Sequence, residues 1–218
     1  MTQSDFIGID LTSSPKKSSA CIGLDKELNL VFMGFLKADD DIVALASSQP
    51  SCLVAIDAPL TLPQGICCLE ESCSCQPESS RKGRECEREL AGLGIPCYFT
   101  TKKSIIKPMV YRGIKIREEL EGRGYQVIEV YPHASKVRLW GKPIPKKTKP
   151  DGLVFLKDKL ASLMPGLSPC IDRFSHDLCD AAVAAYTAYL HYLGKTRQIG
   201  NSEEGAIYIP EGFCGNSG

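Results

Sequence analysis

The chain has 218 residues, 43% apolar and 24% charged, the balance of a folded globular protein with a sizeable core. Its 26 basic and 26 acidic residues cancel, so no global field draws it to nucleic acid or membrane, although a local basic patch stays open. No stretch reaches the roughly 18 apolar residues of a spanning helix. The polar start Met1 to Asp5 lacks the pattern of a signal peptide, so a cytoplasmic protein without a membrane partner is expected. In that compartment the eleven cysteines read as thiols or metal ligands rather than disulfides.

Residues 6–10 form an apolar run ending in Asp10 and read as a strand. Residues 18–24 and 28–36 read as two more, joined by the polar turn Asp25-Lys26-Glu27. Asp39, Asp40 and Asp41 favour a helix start before residues 42–48. Residues 52–56 are continuously apolar, the pattern of a strand covered on both faces, with Asp57-Ala58-Pro59 at the end. About 61–100 change character, with prolines, serines and spaced cysteines, and read as a cysteine-rich insertion; within it, 84–93 is helical. A helix over 109–121, a strand over 124–131, a lysine- and proline-rich connector over 141–150 and a helix over 153–163 follow. The long apolar helix 177–193 precedes a last strand at 205–209. The order implies an α/β domain spanning 1–218, with a mixed sheet of five to six strands flanked by helices.

Four acids carry the functional reading. Asp10 and Asp57 each end a buried apolar strand, where an unpartnered carboxylate is costly. Asp177 and Asp180 lie three apart on one helix, so both can face one point about 5–6 Å away. Asp177 alone is a good first-turn residue, and Asp57 alone a turn former, but their joint placement points to a shared divalent cation. Oxygen ligands favour Mg2+ or Mn2+, and such ions can activate water against a phosphodiester. Glu129, inside the strand 124–131, is either a solvent-facing edge residue or a fifth acid of the site.

Ile7-Gly8-Ile9-Asp10, Ala55-Ile56-Asp57-Ala58-Pro59, Glu129-Val130-Tyr131-Pro132 and His176-Asp177-Leu178-Cys179-Asp180-Ala181-Ala182 resemble the motifs of the domain of unknown function 429 family. Arg84 to Leu90 and Glu204 to Pro210 extend the likeness over almost the whole chain; Glu87 departs from it, standing where the family pattern leads one to expect Asp. The resemblance implies a predicted nuclease of ribonuclease H-like fold. The acid-x-x-acid-Ala pattern of the last helix is similar to that of RuvC-type Holliday junction resolvases, which places catalytic acids at Asp10, Asp57, Asp177 and Asp180. A resolvase-like activity would also call for a two-fold homodimer.

Other residues are weighed beside these. Arg84 and Arg88, one helical turn apart, fit a solvated face or a phosphate clamp. Lys102, with Lys103, is placed to line a path for nucleic acid, and His133 to start a helix or meet a phosphate; no interleaved aromatics mark a base-stacking platform. Cys67, Cys68, Cys73, Cys75 and Cys86 lack paired C-x₂-C knuckles, so structural Zn2+, an iron–sulfur centre and free thiols all stay open. Two other functions compete with a nuclease. One is an ATP-using phosphotransferase of the actin and sugar-kinase type, whose phosphate loop would want glycines that residues 10–16 lack. The other is a non-catalytic module binding nucleic acid or protein.

Overall fold

The protein is described by a computed structural model covering residues 3–14, 16–146 and 150–212. In chain order it forms β1 (Phe6–Asp10), β2 (Ser19–Leu24), β3 (Leu30–Leu36), α1 (Asp39–Ser47), β4 (Leu53–Asp57), α2 (Glu85–Gly92) and α3 (Lys107–Gly122). Next come β5 (Gln126–Val130), α4 (Pro132–Trp140), α5 (Pro150–Leu163), a 3₁₀ segment (Pro165–Arg173), α6 (His176–Tyr192), β6 (Thr196–Gly200) and β7 (Ala206–Pro210).

The sheet is mixed, as expected, but has seven strands in the order β3-β2-β1-β4-β5-β7-β6 rather than five or six. The central strands β1, β4, β5 and β7 run parallel, and β2, β3 and β6 are antiparallel additions. The extra strand is β6, an edge strand of sequence Thr-Arg-Gln-Ile-Gly in which only Ile199 is buried, so it shows no apolar run. Helix α4 follows β5 with a single residue between them. Tyr131 ends the extended chain and caps the helix, and Pro132 opens it, where its missing N–H costs nothing. The connector expected at 141–150 lies partly outside the described residues. Among those described, no helix is long and apolar enough to cross a membrane.

Alternation along the strands sorts the side chains onto two faces. Phe6, Ala20, Leu53, Ala55, Ile128 and Val130 pack with α5 and α6. Ile7, Ile9, Val54 and Ile56 pack on the other side with Ile42 and Val43 of α1 and Ile116 and Leu120 of α3. Both faces are covered, which explains why the central strands read as unbroken apolar runs.

Helix α6 is buried along most of its length. It lies unusually close to β1 because Gly8 has no side chain: a Cβ there would overlap the Ala181 carbonyl and the Ala185 nitrogen, and sit 2.9 Å from the Ala185 Cα. Phe6 meets the rings of Tyr189 and Tyr192 at 5.5 and 5.7 Å. These contacts run in opposite chain order, so α6 is antiparallel to β1.

Gly8→Val should therefore force helix and strand apart. Overpacking of this kind costs about 3 kcal/mol, which in a chain of this size lowers the melting temperature by roughly 6–12 °C. Thermal melting of the variant checks it; an unchanged midpoint would mean that the helix does not rest on this residue.

Candidate functional site

Asp10 and Asp57 are paired residues in the parallel β1–β4 register, at the carboxyl ends of adjacent strands. Neighbouring strands lie about 4.7–4.9 Å apart, so the two carboxylates leave the sheet side by side. Both share the face of Phe6, Gly8, Leu53 and Ala55, the face covered by α6, and both are partly buried. Two residues of strand, from Gly8 to Asp10, span the rise of about four helical residues. With α6 antiparallel, moving from Ala181 and Ala185 by that distance reaches Asp177 and Asp180. Gly113 admits α3 from the opposite side: a Cβ there would sit 2.9 Å from the Pro59 carbonyl oxygen, against the segment that leaves Asp57.

The start of α6 is held by Ser175, whose Oγ accepts the Leu178 amide at 3.2 Å. Asp177 is exposed in this first turn, whereas Asp180 is buried. The buried Asp180 charge is met by Lys136 of α4, which donates from Nζ at 2.6 Å, with both side chains only 4% exposed. A buried pair of this kind is costly to break, about 3–5 kcal/mol when one partner is removed. Nothing in the sequence singles out Lys136, because residues 132–140 carry no clear helical signal of their own. Tyr131 closes the site: its phenol is pushed above its ordinary value by burial first, then by the charge of Asp57, with Asp180 adding to the effect. Two acids from different elements thus act on one hydroxyl, which donates to the Pro96 carbonyl at 2.8 Å. His133 sits nearby, its ring 5.9 Å from that of Tyr131.

Two expectations need correcting. Glu129 is not a solvent-facing edge residue, although it lines the same small cavity as Asp57 and Tyr131. It pairs with Ile56 in register and so faces the opposite side of the sheet, where it is buried. There Arg84 grips both its oxygens, at 2.8 and 2.6 Å, and the Leu60 amide donates to it at 2.8 Å. Arg84, read as a solvated residue or phosphate clamp, is 1% exposed and fully engaged by Glu129, Glu87 and Thr61. Burial works against its charge, but Glu129, with Cys86 and Glu87 adding to it, holds the guanidinium more basic than usual. Glu87 accepts the Arg84 and Thr100 amides at 3.0 and 2.8 Å, so the residue that departs from the family pattern is a structural anchor here. Arg88 is likewise spent within the protein, on the Gly83 carbonyl and Glu204.

The cysteines form a second centre. The sulfurs of Cys67, Cys68, Cys73 and Cys75 all lie within 4.8 Å of one another and could hold a metal ion, and Cys67 and Cys73 are 3.7 Å apart. Among the described residues this is the only group of three or more potential ligands so closely gathered; the four acids are more widely spread. Hydrogen bonding makes the thiols unequal. Cys75 is drawn down to about 6, first by a backbone hydrogen bond with Cys68. Cys67 is pushed up to about 12 by its hydrogen bonds with Cys75 and then Cys73. Lys102, expected on a nucleic-acid path, donates to the Cys73 and Cys75 carbonyls at 2.5 and 2.6 Å and ties this cluster down. Cys86 is not part of the group: it is buried in α2 under Gly200, and burial pushes its thiol up to about 12.

Taken together, the molecule is an α/β protein with a mixed seven-stranded sheet, an acidic sheet end roofed by a buried helix, and a four-cysteine cluster beside it. Residues 104–205 match the model of a family described as protein of unknown function (DUF429). The matched stretch is narrower than the resemblance read from the motifs; it holds Glu129, Lys136, Asp177 and Asp180, while Asp10, Asp57 and the cysteine cluster lie before it. No curated protein matches the chain.

Proposed function

We propose that this protein is a divalent-metal-dependent nuclease with a ribonuclease H-like sheet, hydrolysing phosphodiester bonds at the end of β1 and β4. The observation that carries the reading is the registered pair Asp10 and Asp57, which leaves two adjacent parallel strands beneath the start of α6. Oxygen donors from Asp10 and Asp57, with Asp177 and Asp180 completing the shell, suit Mg2+ or Mn2+. When bound, such an ion would supply an activated water and offset charge on the phosphodiester oxygens. Lys136 neutralises Asp180 and fixes its direction, and Tyr131 presents a protonated hydroxyl beside Asp57.

The phosphotransferase alternative fits less well. The loop after Asp10 uses its polar groups internally: the Thr12 amide donates to Ser19 Oγ at 3.2 Å, and Arg112 holds the Thr12 carbonyl at 2.5 Å. That loop offers little free backbone to cradle a nucleotide phosphate.

A panel of single-stranded, duplex and junction substrates in DNA and RNA, incubated with Mn2+, Mg2+ or chelator, tests the activity. Metal-dependent cleavage is expected, with Asp57→Asn reducing it about 100-fold or more while the fold survives. Absence of cleavage with every metal, or equal cleavage by the variant, would overturn the reading; ATP turnover in its place would favour a phosphotransferase.

We also infer that the cysteine cluster binds a structural Zn2+. A tetrahedral site with Zn–S bonds of about 2.3 Å has sulfurs about 3.8 Å apart, close to the 3.7 Å between Cys67 and Cys73. Elemental analysis of protein purified without chelator should find one zinc per chain, lost in Cys73→Ser and kept in Asp10→Asn. Zinc-free wild-type protein would sink this assignment without touching the acidic site.

A further inference from the structure

A cavity of about 570 Å³ opens between the cysteine-bearing loop and residues 98–105. Arg81, Lys82, Lys102 and Lys103 line it, and no carboxylate does. In a chain of zero net charge this is a local concentration of positive charge, which a cleft focuses onto an approaching anion. Lys102 is committed to the cysteine loop, but Arg81, Lys82 and Lys103 are exposed.

Two aromatic residues stand among these cations. Phe99 packs where Gly83, at a φ of +73°, has no Cβ to obstruct it, and Lys82 Nζ lies 5.5 Å from its ring centroid. Tyr98 is 64% exposed, a large apolar ring left in solvent. The backbone beneath them is fixed, because Glu87 accepts both the amide and the hydroxyl of Thr100, at 2.8 and 2.5 Å. Tyr98 also lines the small cavity that contains Asp57 and Tyr131, so it forms a wall common to the cleft and the acidic site.

We propose that this cleft binds single-stranded nucleic acid, stacking a base on Tyr98 while Arg81, Lys82 and Lys103 meet the backbone phosphates, and so leads an unpaired strand to Asp57. An exposed ring beside several cations is the pairing that single strands exploit, since stacking reads any base face and the cations follow the phosphates. Bases within a duplex already stack on one another and must be unstacked before Tyr98 can reach them. The volume lies in the range of about 300–1,000 Å³ that accepts a group of small-molecule size. The inference rests on the nuclease reading for its direction toward Asp57, but binding and cleavage can be measured apart.

Fluorescence anisotropy with a labelled 15-nucleotide single strand and its matched duplex, without added divalent cation, supplies the test. The single strand should bind at least about 10-fold more tightly than the duplex, and Tyr98→Ala should weaken it about 10-fold while Tyr98→Phe does not. Lys82→Ala and Lys103→Ala should each flatten the dependence of log affinity on log salt by about 0.7. Tyr98 is exposed, so its variants should fold, and circular dichroism confirms that they do. No binding, equal binding of duplex and single strand, or indifference to Tyr98→Ala would overturn the cleft. Tyr98-dependent binding without cleavage would leave the cleft standing and remove the nuclease; cleavage indifferent to Tyr98 would do the reverse.

Discussion

Helix α6 rests on β1 through backbone contact at Gly8, and the geometry of the acidic site follows from that contact. Any side chain at this position would meet the Ala181 carbonyl and lift the helix from the sheet. Because the helix is antiparallel to the strand, its first turns come to lie over the strand end, where Asp10 emerges beside Asp57. Ala181, Ala182, Ala184, Ala185 and Ala188 continue the same logic, their small side chains keeping the helix low over the sheet. Asp180 then enters a buried setting in which it must be neutralised, and α4 answers with Lys136.

A second constraint organises the other face. Arg84 carries a full charge into the interior and is balanced by Glu129 from the sheet and Glu87 from its own helix. Such a cluster adds little net stability compared with a well-packed apolar core, but it is costly to break once formed. Its value lies in what it joins. Thr61 after β4, the start of α2, the strand β5 and Thr100 all meet on these charges, and Glu204 adds the Gln64 and Glu85 amides. A loop-rich segment with little core of its own is thereby held at a fixed place beside the strand end that carries Asp57. Lys102 ties down its outer, cysteine-bearing part through the Cys73 and Cys75 carbonyls.

Much of the central sheet is legible from residue order. The unbroken apolar runs at Phe6–Asp10 and Leu53–Asp57 reflect burial on both faces, and their terminal acids mark the sheet end. The helix Asp39–Ser47 is announced by its three aspartates, and α6 by its length and apolarity. What stays hidden depends on partners distant in sequence. Nothing near Arg84 or Glu129 reveals that they meet across 45 residues, so one reads as surface and the other as catalytic. Lys136 looks like an ordinary charge in a short helix until Asp180 is seen facing it. The aromatic pair Tyr98 and Phe99 is separated in sequence from Arg81 and Lys82, and only the fold of the loop brings them around one cavity. Strand β6 has too few apolar residues to show any period, because its burial is confined to Ile199.

The central claim is that Asp10 and Asp57 hold a hard divalent cation beneath the start of α6. Anomalous diffraction from crystals soaked in Mn2+ tests it most directly. The account predicts a manganese peak about 2.0–2.6 Å from carboxylate oxygens of both Asp10 and Asp57, with Asp177 or Asp180 in or adjoining its shell. Crystals that show manganese elsewhere, or none near these two carboxylates, would contradict it.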